Sequence, residues 1–267
     1  MYPILFNIGS FPVHSYGVLI ALGFLSAVWF ARSEGYRLGL NGELIVDLGF
    51  WSLLLGMVGA RILYVITRFS YMVDHPGEIF AIWEGGLVFF GGVLICFPFF
   101  LWYTKKHKLP TWAVLDLCAV GVPLAHAFGR MGCLSAGCCY GKPTDMPWGI
   151  TFHGGQVEPH LYGLPLHPTQ IYESLSVFAL FAFLFWYRKR KRFDGELLCI
   201  YFIVYSIIRS TIEIFRGDTI RGFVVDGWLS TSQFISILTI IGFAVLYAWR
   251  KKVGLLTVAP TRGAAGK

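Results

Sequence analysis

The fold class is decided by residues 44–66, LIVDLGFWSLLLGMVGARILYVI, which carry only two charges, Asp47 and Arg61. A helix needs about 20 predominantly apolar residues to cross the hydrocarbon core of a bilayer, and this stretch has that length and composition. The whole chain follows the same trend, because 56% of its 267 residues are hydrophobic and only 14% are charged. A soluble domain has roughly 25% charged residues. We therefore expect an all-α polytopic membrane protein.

Six other stretches have the same character, so we expect about seven transmembrane helices. The predicted spans are residues 16–31, 44–66, 87–103, 112–128, 170–187, 197–212 and 234–249. No linker divides these spans. The sequence therefore predicts a single transmembrane domain over residues 1–252 and a disordered cytoplasmic tail over residues 253–267.

Lysine and arginine indicate the orientation of the chain. Seven spans place 15 of the 22 basic residues on one side of the membrane, and basic residues beside spans stay in the cytoplasm. The N-terminus is then outside and the C-terminus cytoplasmic, with the long connections of residues 129–169 and 213–233 on the outer side. The net charge of +7 could also suggest a nucleic-acid partner. The positive charges lie between apolar spans, however, so membrane topology explains them and we expect no nucleic-acid partner.

The sixth span carries charges that are expensive in a bilayer without partners or a function. Tyr205, Arg209, Glu213 and Arg216 are spaced 4, 4 and 3 residues apart, so they share one face of a helix. One interpretation is a structural ion pair between Arg209 and Glu213. The other is an anion site, in which Glu213 orients the arginines and a guanidinium group holds a phosphate in two-point contact.

Two more polar clusters lie toward the outer side. His167, Gln170 and Glu173 begin the fifth span at intervals of three residues. They form either a capped helix start or a polar wall of a buried site. Arg130 ends the fourth span within the glycine-rich stretch GRMGCLSAGCCYG, residues 129–141. The stretch follows no predicted strand, which argues against a nucleotide-binding loop.

The same stretch contains Cys133, Cys138 and Cys139. Three states are open for them: free thiols, a disulfide of Cys133 with one of the other two, or a zinc site. Zinc would usually want a fourth ligand, and no motif selects one. We expect no metal and no catalytic role for these cysteines. The remaining cysteines lie in spans and are expected to be inert packing residues, namely Cys96, Cys118 and Cys199.

The order of these segments resembles the prolipoprotein diacylglyceryl transferase family of bacterial inner membranes. The resemblance covers about residues 16–232, and its strength lies in the joint order of the pieces. The pieces are HSYG (14–17), GAR (59–61), WEGGLVFFGG (83–92), GRMG (129–132), HPTQIYE (167–173), the stripe of the sixth span, and GWLS (227–230) through Gln233.

The resemblance implies that the domain of residues 1–252 is catalytic. It implies transfer of the diacylglyceryl group of phosphatidylglycerol to the lipobox cysteine thiol of a prolipoprotein, the first step of lipoprotein maturation. The products are a thioether and glycerol phosphate. Its partners are then phosphatidylglycerol, prolipoprotein signal peptides and the lipid bilayer, with no metal or cofactor. The active site would face the outer side of the inner membrane.

The resemblance also assigns roles to residues. Arg130 maps onto the lipid-contacting arginine of the family, and Arg209 onto its second essential arginine. The other expected lipid-binding residues are Arg216, Tyr205, Glu213, Gln170 and Glu173. Fixed cations suit this reaction, because a phosphate leaving group gains negative charge as it departs.

The chain departs from the family pattern at two places. Many members have a histidine, proposed as the base, where this chain has Phe90, so we expect His167 or Tyr16 as the base. Where many members carry asparagines and a glutamate, this chain has other residues, namely Cys133, Ala136 and Cys138. These departures leave open a paralogue with another acceptor. The alternative functions are a membrane thiol oxidoreductase and a small-solute transporter.

Overall fold

The computed structural model describes residues 4–9, 11–81, 85–154, 156–216, 223–225 and 229–257. Residues 227–228 of the GWLS segment, Trp83 and Glu84, and the tail after Thr257 lie outside the described part. Within that part the chain forms eight α-helices: α1 Ser15–Arg37, α2 Gly42–Thr67, α3 Phe69–Asp74, α4 Phe89–Lys106, α5 Thr111–Ala136, α6 Thr169–Tyr187, α7 Glu196–Phe215 and α8 Thr231–Thr257. The predicted all-α class is confirmed, and α8 continues past residue 252, where a tail was expected.

Three short antiparallel hairpins accompany the helices. They pair β1 Ile4–Ile8 with β2 Phe11–His14, β3 Ile150–Thr151 with β4 Pro165–Leu166, and β5 Phe223–Val225 with β6 Leu229–Ser230. The second hairpin lies in the long connection between α5 and α6. That connection has a small apolar core of its own, built on Phe152, Val157 and Leu166.

The described helices suit a membrane. Six of them are long and apolar enough to cross a bilayer: α1, α2, α5, α6, α7 and α8. The third predicted span corresponds to α4, which has 18 residues, ends in Lys105 and Lys106, and does not belong to those six. The chain is thus a multi-pass helical membrane protein, and the number seven stays a prediction.

The chain divides into two compact units, a smaller one over residues 28–114 and a larger one over residues 4–27 and 115–257. The expectation of a single domain stays a prediction. In the smaller unit, α2 and α4 cross at glycines, because a Cβ on Gly59 or Gly91 would collide with the backbone of the other residue. Arg61 is buried here and donates to the carbonyls of Glu78, Ile79, Gly85 and Gly86.

The larger unit has two polar ends. What we call the basic end comprises the first turns of α5, the start of α7, and the ends of α6 and α8. What we call the site end comprises the end of α5, the start of α6 and the end of α7. A helix of 20 residues is about 30 Å long. The two ends are therefore separated by about the thickness of a bilayer core, and the candidate site lies at the site end.

Candidate active site

Glu173 is the centre of the candidate site, and its side chain is only 1% exposed. Its Oε1 accepts a hydrogen bond from Arg130 Nη2 at 2.9 Å and a longer one from the Tyr205 hydroxyl at 3.5 Å. The same oxygen lies 3.3 Å from His126 Nε2. Three helices supply these groups: α5 carries His126 and Arg130, α6 carries Glu173, and α7 carries Tyr205. A buried carboxylate is costly unless it is paired, so Glu173 depends on these neighbours.

His126 is a site residue that the sequence did not predict. Its Nε2 lies between Arg130 Nε, which donates at 3.2 Å, and the accepting Oε1 of Glu173. An unprotonated Nε2 accepts from Arg130, whereas a protonated one donates to Glu173. Nε2 can therefore serve only one of these two partners in a given tautomer. The available signal was its position four residues before Arg130, on the same helix face.

Arg209 contributes a second buried cation from α7 and is 9% exposed. Its Nη2 forms an ion pair with Glu213 Oε2 at 2.6 Å. The other terminal nitrogen, Nη1, is buried and has no hydrogen-bond partner among the described residues. Arg209 also acts electrostatically on Glu173. Arg209 therefore has one ion-paired nitrogen and one nitrogen that is available to a ligand.

The three cysteines of residues 133–139 come together beside this cluster as free thiols. A reversal of the chain at the end of α5 causes this. Cys138 N donates to Cys133 O, Gly137 N donates to Leu134 O, and Gly137 has a φ of 71°. This pattern is a Schellman motif, in which a left-handed glycine ends a helix. It returns the chain so that the Sγ atoms of Cys133, Cys138 and Cys139 lie within 4.8 Å of one another.

The thiols and nearby cations influence one another. Hydrogen bonds from Cys133 and then Cys138 hold the pKa of the Cys139 thiol well below its usual range; burial opposes this shift, and the charges of Arg130 and Arg216 add to it. The neighbouring thiols of Cys133 and then Cys139 raise the pKa of Cys138. The three thiols and the nearby arginines therefore form one electrostatically coupled group.

The start of α6 holds the cysteine loop in place. Gln170 is 1% exposed and donates through Nε2 to Cys138 O at 2.7 Å. Thr169 donates through Oγ1 to Cys139 O, also at 2.7 Å. The sequence left Gln170 in either a capped helix start or a polar wall of the site. In the structure it fixes the backbone of the loop that carries the thiols.

The two expected bases lie in different surroundings. Tyr16, at the start of α1, is within electrostatic range of Arg130 and of the three thiols. His167 instead places Nδ1 3.1 Å from the Tyr172 hydroxyl and packs its ring against Phe215 at 5.3 Å. The histidine in direct contact with Arg130 and Glu173 is His126, not His167. A role as base stays a prediction for both Tyr16 and His167.

Arg216, the last residue of the stripe of α7, is only 5% exposed. The reason is that the helix ends at Phe215 and the next residue pairs with Gly141 in an isolated bridge. Gly141 permits this close approach, since a Cβ there would lie 2.5 Å from Phe215 O. The returning loop therefore covers Arg216.

These features define a class of protein: a multi-pass helical membrane protein with paired carboxylates and arginines buried at one end, including an arginine with unused donors. The sequence profile described as "Prolipoprotein diacylglyceryl transferase" matches residues 3–249. The chain belongs to the prolipoprotein diacylglyceryl transferase family.

Individual relatives agree with this assignment. A phosphatidylglycerol–prolipoprotein diacylglyceryl transferase of Clostridium tetani is 38% identical over 241 residues, covering 90% of this chain and 94% of the relative. The second enzyme of that name in Clostridium perfringens is 37% identical over 258 residues, covering 94% and 96%. A relative from Legionella pneumophila is 35% identical over 254 residues, covering 93% and 97%.

Proposed function

We propose that this protein transfers the diacylglyceryl group of phosphatidylglycerol to the lipobox cysteine thiol of prolipoproteins. The thiol sulfur forms a bond with the glyceryl carbon that bears the phosphate ester, and the carbon–oxygen bond breaks. The products are a thioether and glycerol phosphate. The names of the relatives describe this donor and this class of acceptor, and the chain aligns with them over nearly its whole length.

The observation that carries the site assignment is Arg209 Nη1, a buried guanidinium nitrogen that has no hydrogen-bond partner among the described residues. A buried charged donor without a partner is expensive, and an anionic ligand would remove this penalty. A phosphate offers several acceptor oxygens, which a planar guanidinium group contacts two at a time. Arg130 is ion-paired with Glu173, on which Arg209 also acts electrostatically, and it supplies a second cation.

We assign the phosphate of the bound lipid to the space that Arg130 and Arg209 share. Charge accumulates on the departing glycerol phosphate, so fixed guanidinium groups stabilise the transition state more than the ground state. Glu213 orients Arg209, as Glu173 and His126 orient Arg130. Gln170, Tyr205 and Arg216 surround these groups and complete the lipid-binding residues.

The orientation follows from the charges of the larger unit. The basic end holds Lys191, Arg192 and Arg250, whereas the site end holds Arg130 and Arg209 among carboxylates. Basic residues beside spans remain in the cytoplasm, so the site end faces the outer side of the bacterial inner membrane. Reporter fusions after Lys191 should report cytoplasm and fusions near Asp145 the outside. The opposite pattern would contradict this orientation.

The transferase assignment has a direct test. Full-length protein, phosphatidylglycerol vesicles and a lipobox peptide should give a peptide heavier by one diacylglyceryl group. The peptide with serine in place of the cysteine, and vesicles of phosphatidylethanolamine alone, should give no product. A thiol oxidoreductase would instead produce disulfide-linked peptide, and a transporter would leave the peptide unchanged. Either result in place of the mass gain would refute the proposed function.

A further inference from the structure

Cys133, Cys138 and Cys139 have the arrangement of a metal-binding site. Their Sγ atoms all lie within 4.8 Å of one another, and each side chain is only partly buried. Zinc binds thiolates at about 2.3 Å in tetrahedral geometry, which places neighbouring sulfurs about 3.8 Å apart. The observed spacing therefore needs only small side-chain rotations to receive the ion.

The backbone is built to produce this cluster. Cys139 has a φ of 62°, a left-handed conformation that residues other than glycine seldom adopt. The carbonyls of Cys138 and Cys139 are both held by side chains of α6, from Gln170 and Thr169. Strained backbone that the surrounding structure fixes is found preferentially at functional sites. The loop thus holds three thiols at one point beside Arg130.

We propose that Cys133, Cys138 and Cys139 bind a zinc ion whose fourth position receives the thiol of the acceptor cysteine. Catalytic zinc sites have three protein ligands and one open position, whereas structural zinc sites have four. The described ligand atoms of this cluster number three. The proposal rests on the proposed function, since that function supplies the fourth thiol. It replaces the expectation that these cysteines take no part in catalysis.

The bound metal would convert the acceptor thiol into a thiolate, which is the nucleophile of the reaction. A thiol that coordinates zinc is deprotonated, and here its proton leaves to water. A sulfur lone pair then forms the bond to the glyceryl carbon, while the electrons of the carbon–oxygen bond remain on the phosphate oxygen. Glycerol phosphate leaves as the dianion, next to Arg130 and Arg209. Zinc with three thiolates carries one negative charge, which Arg130 and Arg216 offset through their electrostatic interaction with Cys139.

The first measurement is the metal content of the full-length protein purified without chelator. Elemental analysis should find stoichiometric zinc in the wild type and none in the Cys133→Ser/Cys138→Ser/Cys139→Ser variant. The matched control replaces the other three cysteines by alanine: Cys96, Cys118 and Cys199. The control should retain its zinc. A wild type that stays free of zinc after dialysis against the ion would overturn the proposal.

The second measurement asks whether the acceptor enters the coordination sphere. The wild-type protein, stripped by a chelator and loaded with Co²⁺, should show the visible absorption of a tetrahedral thiolate site. A lipobox peptide should shift these bands, whereas its Cys→Ser form should not. This readout does not depend on the folding of any variant. Unchanged bands in a preparation that still transfers diacylglyceryl would overturn the proposal and leave the transferase function intact.

The third measurement is the pH profile of transfer. A free thiol with a pKa of about 8.5 is only about 3% ionised at pH 7. Removing zinc should therefore slow transfer about 30-fold at pH 7, and by progressively less as the pH rises toward 9. Added zinc should restore the rate. A pH-independent rate that chelation does not change would overturn the metal's role, whereas no transfer by zinc-loaded wild type would refute the proposed function itself.

Discussion

The two ends of the larger unit use buried charge in opposite ways. At the basic end, Asp116 is 1% exposed and both of its oxygens are occupied. Oδ2 accepts from Lys191 Nζ and from Gly195 N, each at 2.9 Å, and Oδ1 accepts from Leu198 N at 3.0 Å. Asp116 thereby caps the start of α7 and also forms an ion pair with Lys191. These interactions connect α5 to α7 and stabilise the fold.

The lysine of this pair shows the energetic consequence. Burial acts to lower the pKa of Lys191, but the attraction of Asp116 and the bonds to Asp194 outweigh burial and raise that pKa above 10.5. When the pKa of a lysine is higher in the folded state than in the unfolded state, its charge contributes its full stabilisation at every pH below the unfolded-state pKa. This stabilisation is lost as the pH rises through the raised value. It is therefore present throughout the neutral range.

At the site end, by contrast, a buried charged group keeps a donor without a hydrogen-bond partner among the described residues. Glu173 is as deeply buried as Asp116, yet the buried Arg209 keeps one guanidinium nitrogen, Nη1, without a hydrogen-bond partner among the described residues. His126 Nε2 has a donor and an acceptor within reach and can satisfy only one of them at a time. The charges of the basic end are thus paired within the fold, whereas the site end keeps a buried donor that suits the phosphate of the proposed function.

The largest effect is expected at the site end. Replacing Arg130 by alanine removes a preorganised donor to the leaving phosphate, which typically costs about 2.7–4 kcal/mol, or a factor of 10²–10³ in rate. Arg130→Lys should also lose much of the activity, because lysine lacks the planar fork. The measurement is the transfer rate of folded, detergent-purified protein. The control is Arg32→Lys at an exposed ion pair, and an Arg130→Ala protein that matches this control would remove the basis of the mechanism.

The next effect is expected at the basic end and concerns stability. Asp116→Asn breaks a buried pair and should lower the free energy of unfolding by about 3 kcal/mol, at the low end for such pairs because Lys191 retains Asp194. Thermal unfolding in detergent measures the loss, and the remaining folded protein should transfer at the normal rate. Asp194→Asn, which changes the more exposed partner of the same lysine, should be nearly silent. If Asp116→Asn and Asp194→Asn lowered the free energy of unfolding equally, the special role of the buried pair at the basic end would be refuted.

The smallest effect is expected at His126. If the ring positions Arg130, His126→Ala should slow transfer about tenfold, equivalent to about 1.4 kcal/mol, while His126→Gln should recover most of the rate. A glutamine amide can both accept from Arg130 and donate to Glu173. The pH profile should stay the same in both variants. A glutamine variant as slow as the alanine variant, with an altered pH profile, would make His126 a base instead.

The sequence predicted the features that depend on local pattern. Apolar length predicted the helices, and a spacing of 4, 4 and 3 predicted the stripe of Tyr205, Arg209, Glu213 and Arg216 on one face of α7. The sequence did not predict which charged side chains form ion pairs with one another. Pairing between α5, α6 and α7 depends on how the helices pack, so the central place of Glu173 emerged only in three dimensions.

Two other features were hidden for specific reasons. A single histidine in an apolar span resembles a packing residue until a partner on another helix is known, which is why His126 was missed. The clustering of the cysteines depends on the left-handed turn at Gly137, which reverses the chain at the end of α5. Residue spacing alone therefore left three states open for Cys133, Cys138 and Cys139.

The proposed function places the phosphate of the lipid on Arg209, where the guanidinium nitrogen Nη1 has no hydrogen-bond partner among the described residues. Solid-state NMR on protein labelled with ¹⁵N-arginine in phosphatidylglycerol bilayers measures dipolar coupling between guanidinium nitrogens and the lipid phosphorus. We expect strong coupling in the wild type, a clear decrease in Arg209→Lys, and no change in Arg32→Lys. Unchanged coupling in Arg209→Lys would show that the phosphate is held elsewhere and would refute this placement.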